Sequence, residues 1–231
     1  MPEGLEALTA MWSPDGKSIV TSGYVTRKTI VDGKKNPNYA SEAGIHHRID
    51  IASKKRTELT LPAGHQIMDV SPDGKWFLTY VSHMHNAKET YKVCLVDMDG
   101  KVMDDLTDGS APIIGQRFSP DGKKVVASRY NDVDNRTAVR LSEVFILDVA
   151  AKEKMVVLPL NGLHDDAIVQ SITWSPDGSR IAFSWWTDGR TKGEPKDTLA
   201  HVSIATLDDA KIRTIFSVKD KTLGSIDWVK K

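Results

Sequence analysis

Short apolar runs, each closed by the same polar turn, divide the chain into repeats. Residues 8–12, 66–70, 114–118 and 171–174 form the first run of each repeat and end on Trp12, Val70, Phe118 and Trp174. Each is followed at once by Ser-Pro-Asp-Gly, as Ser13-Pro14-Asp15-Gly16, Ser71-Pro72-Asp73-Gly74, Ser119-Pro120-Asp121-Gly122 and Ser175-Pro176-Asp177-Gly178. A second, more apolar run comes next, at 18–21, 76–81, 125–128 and 181–186. Near-continuous apolar and β-branched runs of this length predict strands covered on both faces. A third run follows a variable gap, at 47–51, 93–97, 145–149 and 202–206. Three of these carry an aspartate in register, Asp50, Asp97 and Asp148, and a turn with Lys54, Lys101 or Lys152 follows; the fourth keeps only Lys211. Outer runs at 57–61, 101–106, 155–158 and 213–216 complete four strands per repeat.

Four strands joined by tight turns make an antiparallel sheet with two apolar faces, and a single sheet cannot bury both. Packing such sheets radially, face to face, solves this, and the solution is the β-propeller. A β-sandwich is the competing all-β answer, but it gives no reason for one turn sequence to recur once per four strands. The predicted fold class is therefore all-β, a propeller of four-stranded antiparallel blades at about 5–62, 63–107, 111–160 and 166–218. A fifth copy of the first run, Gly224 to Trp228, has no turn behind it, and predicts an extra strand at 223–229.

Trp12-Ser13-Pro14-Asp15-Gly16-Lys17 and Trp174-Ser175-Pro176-Asp177-Gly178, with third strands that end like Leu95-Val96-Asp97-Met98-Asp99-Gly100-Lys101, resemble the WD-like repeats of TolB-type β-propellers. The resemblance covers essentially the whole chain. It implies a blade architecture shared by partner-binding periplasmic proteins, by the propeller halves of prolyl-oligopeptidase-family enzymes and by propellers fused to bacterial signalling proteins. Such propellers have more blades than the four complete ones here. The expectation is thus a partial ring belonging to a longer protein, or a ring completed by self-association of the chain. Exposed blade faces would favour association in either case.

The tetrapeptide itself reads as structure. Proline presets φ near −65° at the second turn position, aspartate suits the third, and glycine takes positive φ where a bulged hairpin needs it. Serine and aspartate side chains satisfy local backbone donors. As an active site, the motif would be four identical Ser-Asp pairs with no base attached. The sequence also lacks a Gly-x-Ser-x-Gly elbow, a phosphate-binding loop, a Gly-x-Gly-x-x-Gly fingerprint and zinc-type cysteine pairs. Cys94, the single cysteine, sits in the apolar run Val93-Cys94-Leu95-Val96 and reads as a small buried hydrophobe. No catalytic residue and no cofactor are expected, and the chain is read as non-enzymatic unless it is part of a larger enzyme.

Charge narrows the partners. Lys+Arg 31 against Asp+Glu 31 gives a net charge of zero, so nucleic acid is not an expected partner. No apolar stretch is long enough to span a bilayer, so membrane insertion is not expected. The resemblance leans towards a periplasmic or secreted location, while the first residues do not read as a signal peptide.

Function is expected on the rim opposite the Ser-Pro-Asp-Gly turns, where the variable gaps 26–43, 83–90, 131–141 and 187–198 emerge together with the links between blades. That rim carries His65, His83, His85, His164, Asp165 and Asp166. His83 and His85 have the spacing that shares one strand face if the strand continues. These residues, His65, His83, His85, His164 and Asp165 above all, form a candidate metal set, weighed against solvated loop side chains. His46, His47 and His201 begin third strands and read as edge residues. Trp185-Trp186 offers one ring to the packing between blades and one to a partner or sugar. Lys34-Lys35 and Lys192 to Lys196 read as solvated loop charge, and Asn135-Arg136-Thr137 fits the glycosylation acceptor pattern. Three functions follow, in order: a scaffold for a protein or peptide partner, a propeller domain of a larger enzyme or sensor, and a carbohydrate- or metal-binding propeller.

Overall fold

The computed structural model describes residues 5–25, 30–31, 34–35, 44–85, 88–109, 113–132, 140–158, 167–187, 199–209, 211–219, 221 and 223–228. Its contacts fall into two compact units, Met1–Gly109 and Ser110–Lys231. The first holds β1 (Leu5–Trp12), β2 (Ser18–Val25), β3 (Ile30–Val31), β4 (Lys34–Lys35), β5 (Ile45–Asp50), β6 (Arg56–Leu59), β7 (His65–Val70), β8 (Trp76–His85), β9 (Lys88–Asp97) and β10 (Val102–Asp105). Two four-stranded antiparallel sheets result, β1-β2-β5-β6 and β7-β8-β9-β10, with β3 and β4 forming a separate small hairpin. The second unit holds β11 (Ile113–Phe118), β12 (Lys124–Asp132), β13 (Arg140–Asp148), β14 (Lys154–Leu158), β15 (Ala167–Trp174), β16 (Arg180–Thr187), β17 (Leu199–Thr206) and β18 (Ile212–Lys219). Its sheets are β11-β12-β13-β14 and β15-β16-β17-β18.

Each sheet is one repeat of the sequence, so strand order follows chain order from the innermost strand outwards. Burial follows the same gradient. Val20, Phe77, Val125, Val126 and Ile181 on the second strands are fully buried, whereas β18 exposes Ile215 and Phe216. In the first unit Val20, Ile67, Val70, Phe77 and Val96 make a shared core, so blades one and two bury their facing surfaces on each other. In the second, Val126, Val144, Ile146 and Leu158 meet Val169, Ile172, Trp174 and Phe183 in the same way.

Polar contacts reinforce both joints. Thr9 Oγ1 donates to Ile67 O at 2.9 Å, and Trp174 Nε1 donates to Arg117 O at 3.2 Å. Trp12, in the first blade of its unit, is 62% exposed, whereas Trp174, packed on the blade before it, is 6% exposed. The contrast between two residues in the same motif position shows that the packed neighbour, not the residue type, sets burial.

Three expectations need adjusting. The gap predicted at 83–90 is mostly ladder, because β8 and β9 pair as far as His83↔Thr90, Met84↔Glu89 and His85↔Lys88. Hairpin hydrogen bonds are made by the backbone, so a polar run extends a strand that an apolar pattern would end. The third strands lie inside their sheets, between the second and fourth strands, and His46 is 2% exposed rather than at an edge. Residues 223–228 carry no ladder, since an innermost strand needs a second strand to pair with. They do lie against β15, with Ile226 N–H donating to Ser171 Oγ at 3.3 Å and the Arg180 guanidinium 5.1 Å from the Trp228 ring centre.

Candidate functional site

The four Ser-Pro-Asp-Gly turns close on themselves. In each, the glycine N–H donates to the serine carbonyl, at 2.9 Å for Gly16 and 2.8 Å for Gly74, Gly122 and Gly178. The serine hydroxyl lies 2.6 Å from Asp15, 2.7 Å from Asp73, 2.5 Å from Asp121 and 2.6 Å from Asp177. The same hydroxyl oxygen accepts the N–H of Ser18, Trp76, Lys124 or Arg180, each at 2.9 Å. The aspartate also accepts the N–H two residues on, from Lys17, Lys75, Lys123 or Ser179. Glycine φ angles of 67° and 71° complete the turns. Serine and aspartate are thus consumed by local hydrogen bonds, and neither is positioned to act as nucleophile or base.

The serine hydroxyl, followed by a backbone N–H, holds Asp15, Asp73, Asp121 and Asp177 below the usual carboxylate range. A depressed folded-state pKa contributes stability that is present above the unfolded value of about 3.9 and lost as pH falls through the folded value. Asp177→Asn is therefore expected to be less stable than the native chain at neutral pH, with the difference narrowing below about pH 4. Denaturant unfolding at pH 7 and at acid pH checks this; a difference that stays constant or widens on acidification would refute it.

Within each sheet, the in-register aspartates close the hairpin between the third and fourth strands, at the same end of the sheet as its Ser-Pro-Asp-Gly turn. Asp50 Oδ1 accepts Ser53 N–H at 2.7 Å, Asp97 Oδ1 accepts Lys101 N–H at 2.8 Å, and Asp148 Oδ1 accepts Ala151 N–H at 2.8 Å. At Thr206, which pairs with Arg180 in the fourth blade, the role passes to Asp209, whose Oδ1 accepts Lys211 N–H at 3.1 Å.

Of the candidate residues on the loop rim, only some fall among the described residues. His65 is buried, and its Nδ1 lies 2.9 Å from Thr79 Oγ1, so that nitrogen is engaged within its blade. His83 and His85 lie in β8. His164 and Asp165, with Asp166, Asn135, Arg136, Thr137 and Lys192 to Lys196, fall outside the described residues. Trp185 is buried; its ring stacks on His201 with centroids 4.0 Å apart and its indole N–H donates to Ser203 Oγ at 2.9 Å. Trp186 is half-buried. Cys94 is buried, its thiol 3.2 Å from Asp105 Oδ1, and burial followed by that contact pushes its pKa up to about 12. A thiol held that far above neutrality is no nucleophile.

Two side-chain clusters have no counterpart in the sequence motifs. Arg129 pairs with Glu143 at 2.6 Å across β12 and β13, near Phe145. The other is Ser22–His46, 2.9 Å apart on the paired strands β2 and β5 of blade one, with Ser22 Oγ also accepting Ile67 N–H from blade two. Neither has a sequence signal, because each depends on the exact register of two paired strands, Arg129↔Glu143 and Ser22↔His46, which a gap between the strands leaves open.

No protein-family model matches the chain. Two curated relatives do. The Tol-Pal system protein TolB of Alcanivorax borkumensis is 25% identical over 112 residues, 48% of this chain and 23% of that protein. An uncharacterized protein of Agrobacterium fabrum is 28% identical over 185 residues, 79% of this chain and 56% of that protein. The chain thus spans less than two thirds of either relative. Among solved structures, TolB from Acinetobacter baumannii superposes with a TM-score of 0.57 at 18% identity, over 91% of this chain and 43% of that one. The fold is that of a TolB-like β-propeller. The propeller domain of the Trilobed protease from Pyrococcus furiosus also superposes, with a TM-score of 0.54 at 11% identity, over 94% of this chain and 58% of that one. At such identities the TolB-like likeness concerns the fold.

Proposed function

We propose that this TolB-like propeller is a non-catalytic scaffold that binds a protein or peptide partner through the rim carrying its strand two to three loops and inter-blade links. The likeness to TolB, a protein of the Tol-Pal system, over most of the chain is the observation that supports this reading. Physical chemistry adds to it. Loops on a rigid β scaffold vary without disturbing the core, whereas the turn rim has its polar side chains committed to its own backbone.

The test is site-specific photo-crosslinking in cells of the source organism. A crosslinker at Lys192, in the sequence between β16 and β17, is expected to capture one discrete protein, and the same group at Asp73 is expected to capture none. Capture from Asp73 with none from Lys192 would contradict the reading. A second reading, a propeller domain of a larger enzyme or signalling protein, is supported by the match to the Trilobed protease propeller. Sequencing the gene beyond both ends separates the two: an adjoining hydrolase or kinase domain favours the second.

A further inference from the structure

The joint between blades one and two is held by a directed chain of buried hydrogen bonds. β7 is the free inner edge of its sheet, and both main-chain groups of Ile67 turn away from that sheet to blade one. Ile67 O accepts Thr9 Oγ1 at 2.9 Å, and Ile67 N–H donates to Ser22 Oγ at 3.0 Å. Ser22 Oγ lies 2.9 Å from His46 Nδ1. The His46 ring also hydrogen-bonds the backbone of His65, the first residue of β7. Ser22, His46, His65 and Ile67 are all buried.

Donor and acceptor counting fixes the direction of every bond. A backbone carbonyl only accepts, so His46 must donate to His65 O through its remaining nitrogen, Nε2. Space for that approach exists because position 44 is glycine: a Cβ there would lie 2.6 Å from His46 Nε2 and 3.0 Å from His65 O. In the neutral ring Nδ1 is then an acceptor, and the Ser22 hydroxyl proton fills it. Ser22 Oγ meanwhile accepts Ile67 N–H. The chain is complete only with a neutral imidazole.

Protonation at Nδ1 turns that nitrogen into a donor. Two donors, Ile67 N–H and His46 Nδ1–H, would then face Ser22 Oγ, and the Ser22 proton would lose the acceptor it now has. The two partners of the ring are a hydroxyl and a carbonyl, neither carrying the negative charge that would hold a cation. Nearby titratable groups are His47 on β5, Arg56 and Glu58 on β6 beside His47, and His65 on β7, with Asp105 of β10 near His65. Burial lowers the His46 pKa; the hydrogen bond to His65 opposes this, and repulsion from His47 and His65 adds to it.

We propose that this Ser22–His46–His65 chain is an acid-released latch: protonating His46 opens the joint between blades one and two while the blades keep their own ladders. A histidine whose folded-state pKa is lowered contributes stability above the unfolded value of about 6.5, and that contribution falls as pH drops below it. One proton taken up only on opening raises the opening constant by about tenfold per pH unit.

The Ile67 amide reports opening directly, since its hydrogen bond crosses the joint. Hydrogen exchange on the full chain, expressed as protection relative to the unstructured rate, is measured from pH 7 to pH 5. Protection at Ile67 is expected to fall by up to about tenfold per unit, with the amides of Ile181 and Phe183 in the second unit keeping theirs. His46→Gln, neutral at every pH, is expected to abolish the dependence at Ile67. An Ile67 protection that does not change with pH in the native chain, or the same slope in His46→Gln, overturns the proposal. Should His46→Gln fail to fold, NMR titration of the native imidazoles decides: the latch requires His46 to stay neutral where exposed histidines protonate, and an ordinary midpoint near 6.5 overturns it.

Discussion

Replacing Gly100 by alanine is expected to cost about 3 to 5 kcal/mol of unfolding free energy, as left-handed strain and a backbone collision add. Gly100 has φ 87°, and a Cβ built there would stand 2.0 Å from the carbonyl oxygen of Thr60. The obstacle is main chain of the neighbouring blade, so no rotamer change relieves it. Either the turn after β9 or the end of blade one must move, and the turn is itself pinned by Asp97, which accepts the N–H groups of Asp99 and Lys101. Gly16→Ala is the control. Its φ is 67° and no atom lies within 4 Å of the added Cβ, so only the backbone term of about 1 to 2 kcal/mol applies. Urea unfolding of both variants checks the pair; equal losses would show that the approach to Thr60 contributes nothing.

Truncating Phe183 to alanine is expected to cost about 3 to 5 kcal/mol, the range for emptying a large buried aromatic site. Phe183 has no exposed surface and belongs to the core shared by the two blades of the second unit. Its neighbours, Val169, Ile172 and Trp174 among them, are held in paired strands and cannot collapse far into the cavity. Phe216 on the outermost strand β18 is 51% exposed, and Phe216→Ala is expected to change stability by about 0.5 kcal/mol or less. Thermal or denaturant midpoints separate the two; comparable shifts would contradict the burial gradient from inner to outer strands.

Legibility in the sequence followed the range of the interactions. Ser-Pro-Asp-Gly could be read because every hydrogen bond of the turn lies within five residues, so residue type and spacing carry the whole geometry. The same holds for Asp50, Asp97 and Asp148, which close their own hairpins. Apolar runs located the strands, but their ends were blurred where polar residues continue a ladder, as at Ser82 to His85. His46 was misplaced because its burial depends on His65 and Ile67, brought alongside by the packing of one blade on the next. Trp12 and Trp174 are indistinguishable by motif, and only the neighbouring blade makes one exposed and the other buried.

The most direct measurement is hydrogen exchange of the chain alone and bound to the protein captured by crosslinking. The scaffold reading requires new protection among residues 188–198, 133–139 and 86–87, with the Ser-Pro-Asp-Gly turns unchanged. Protection concentrated on those turns, with the three segments unaffected, would place the partner on the wrong rim and contradict the account.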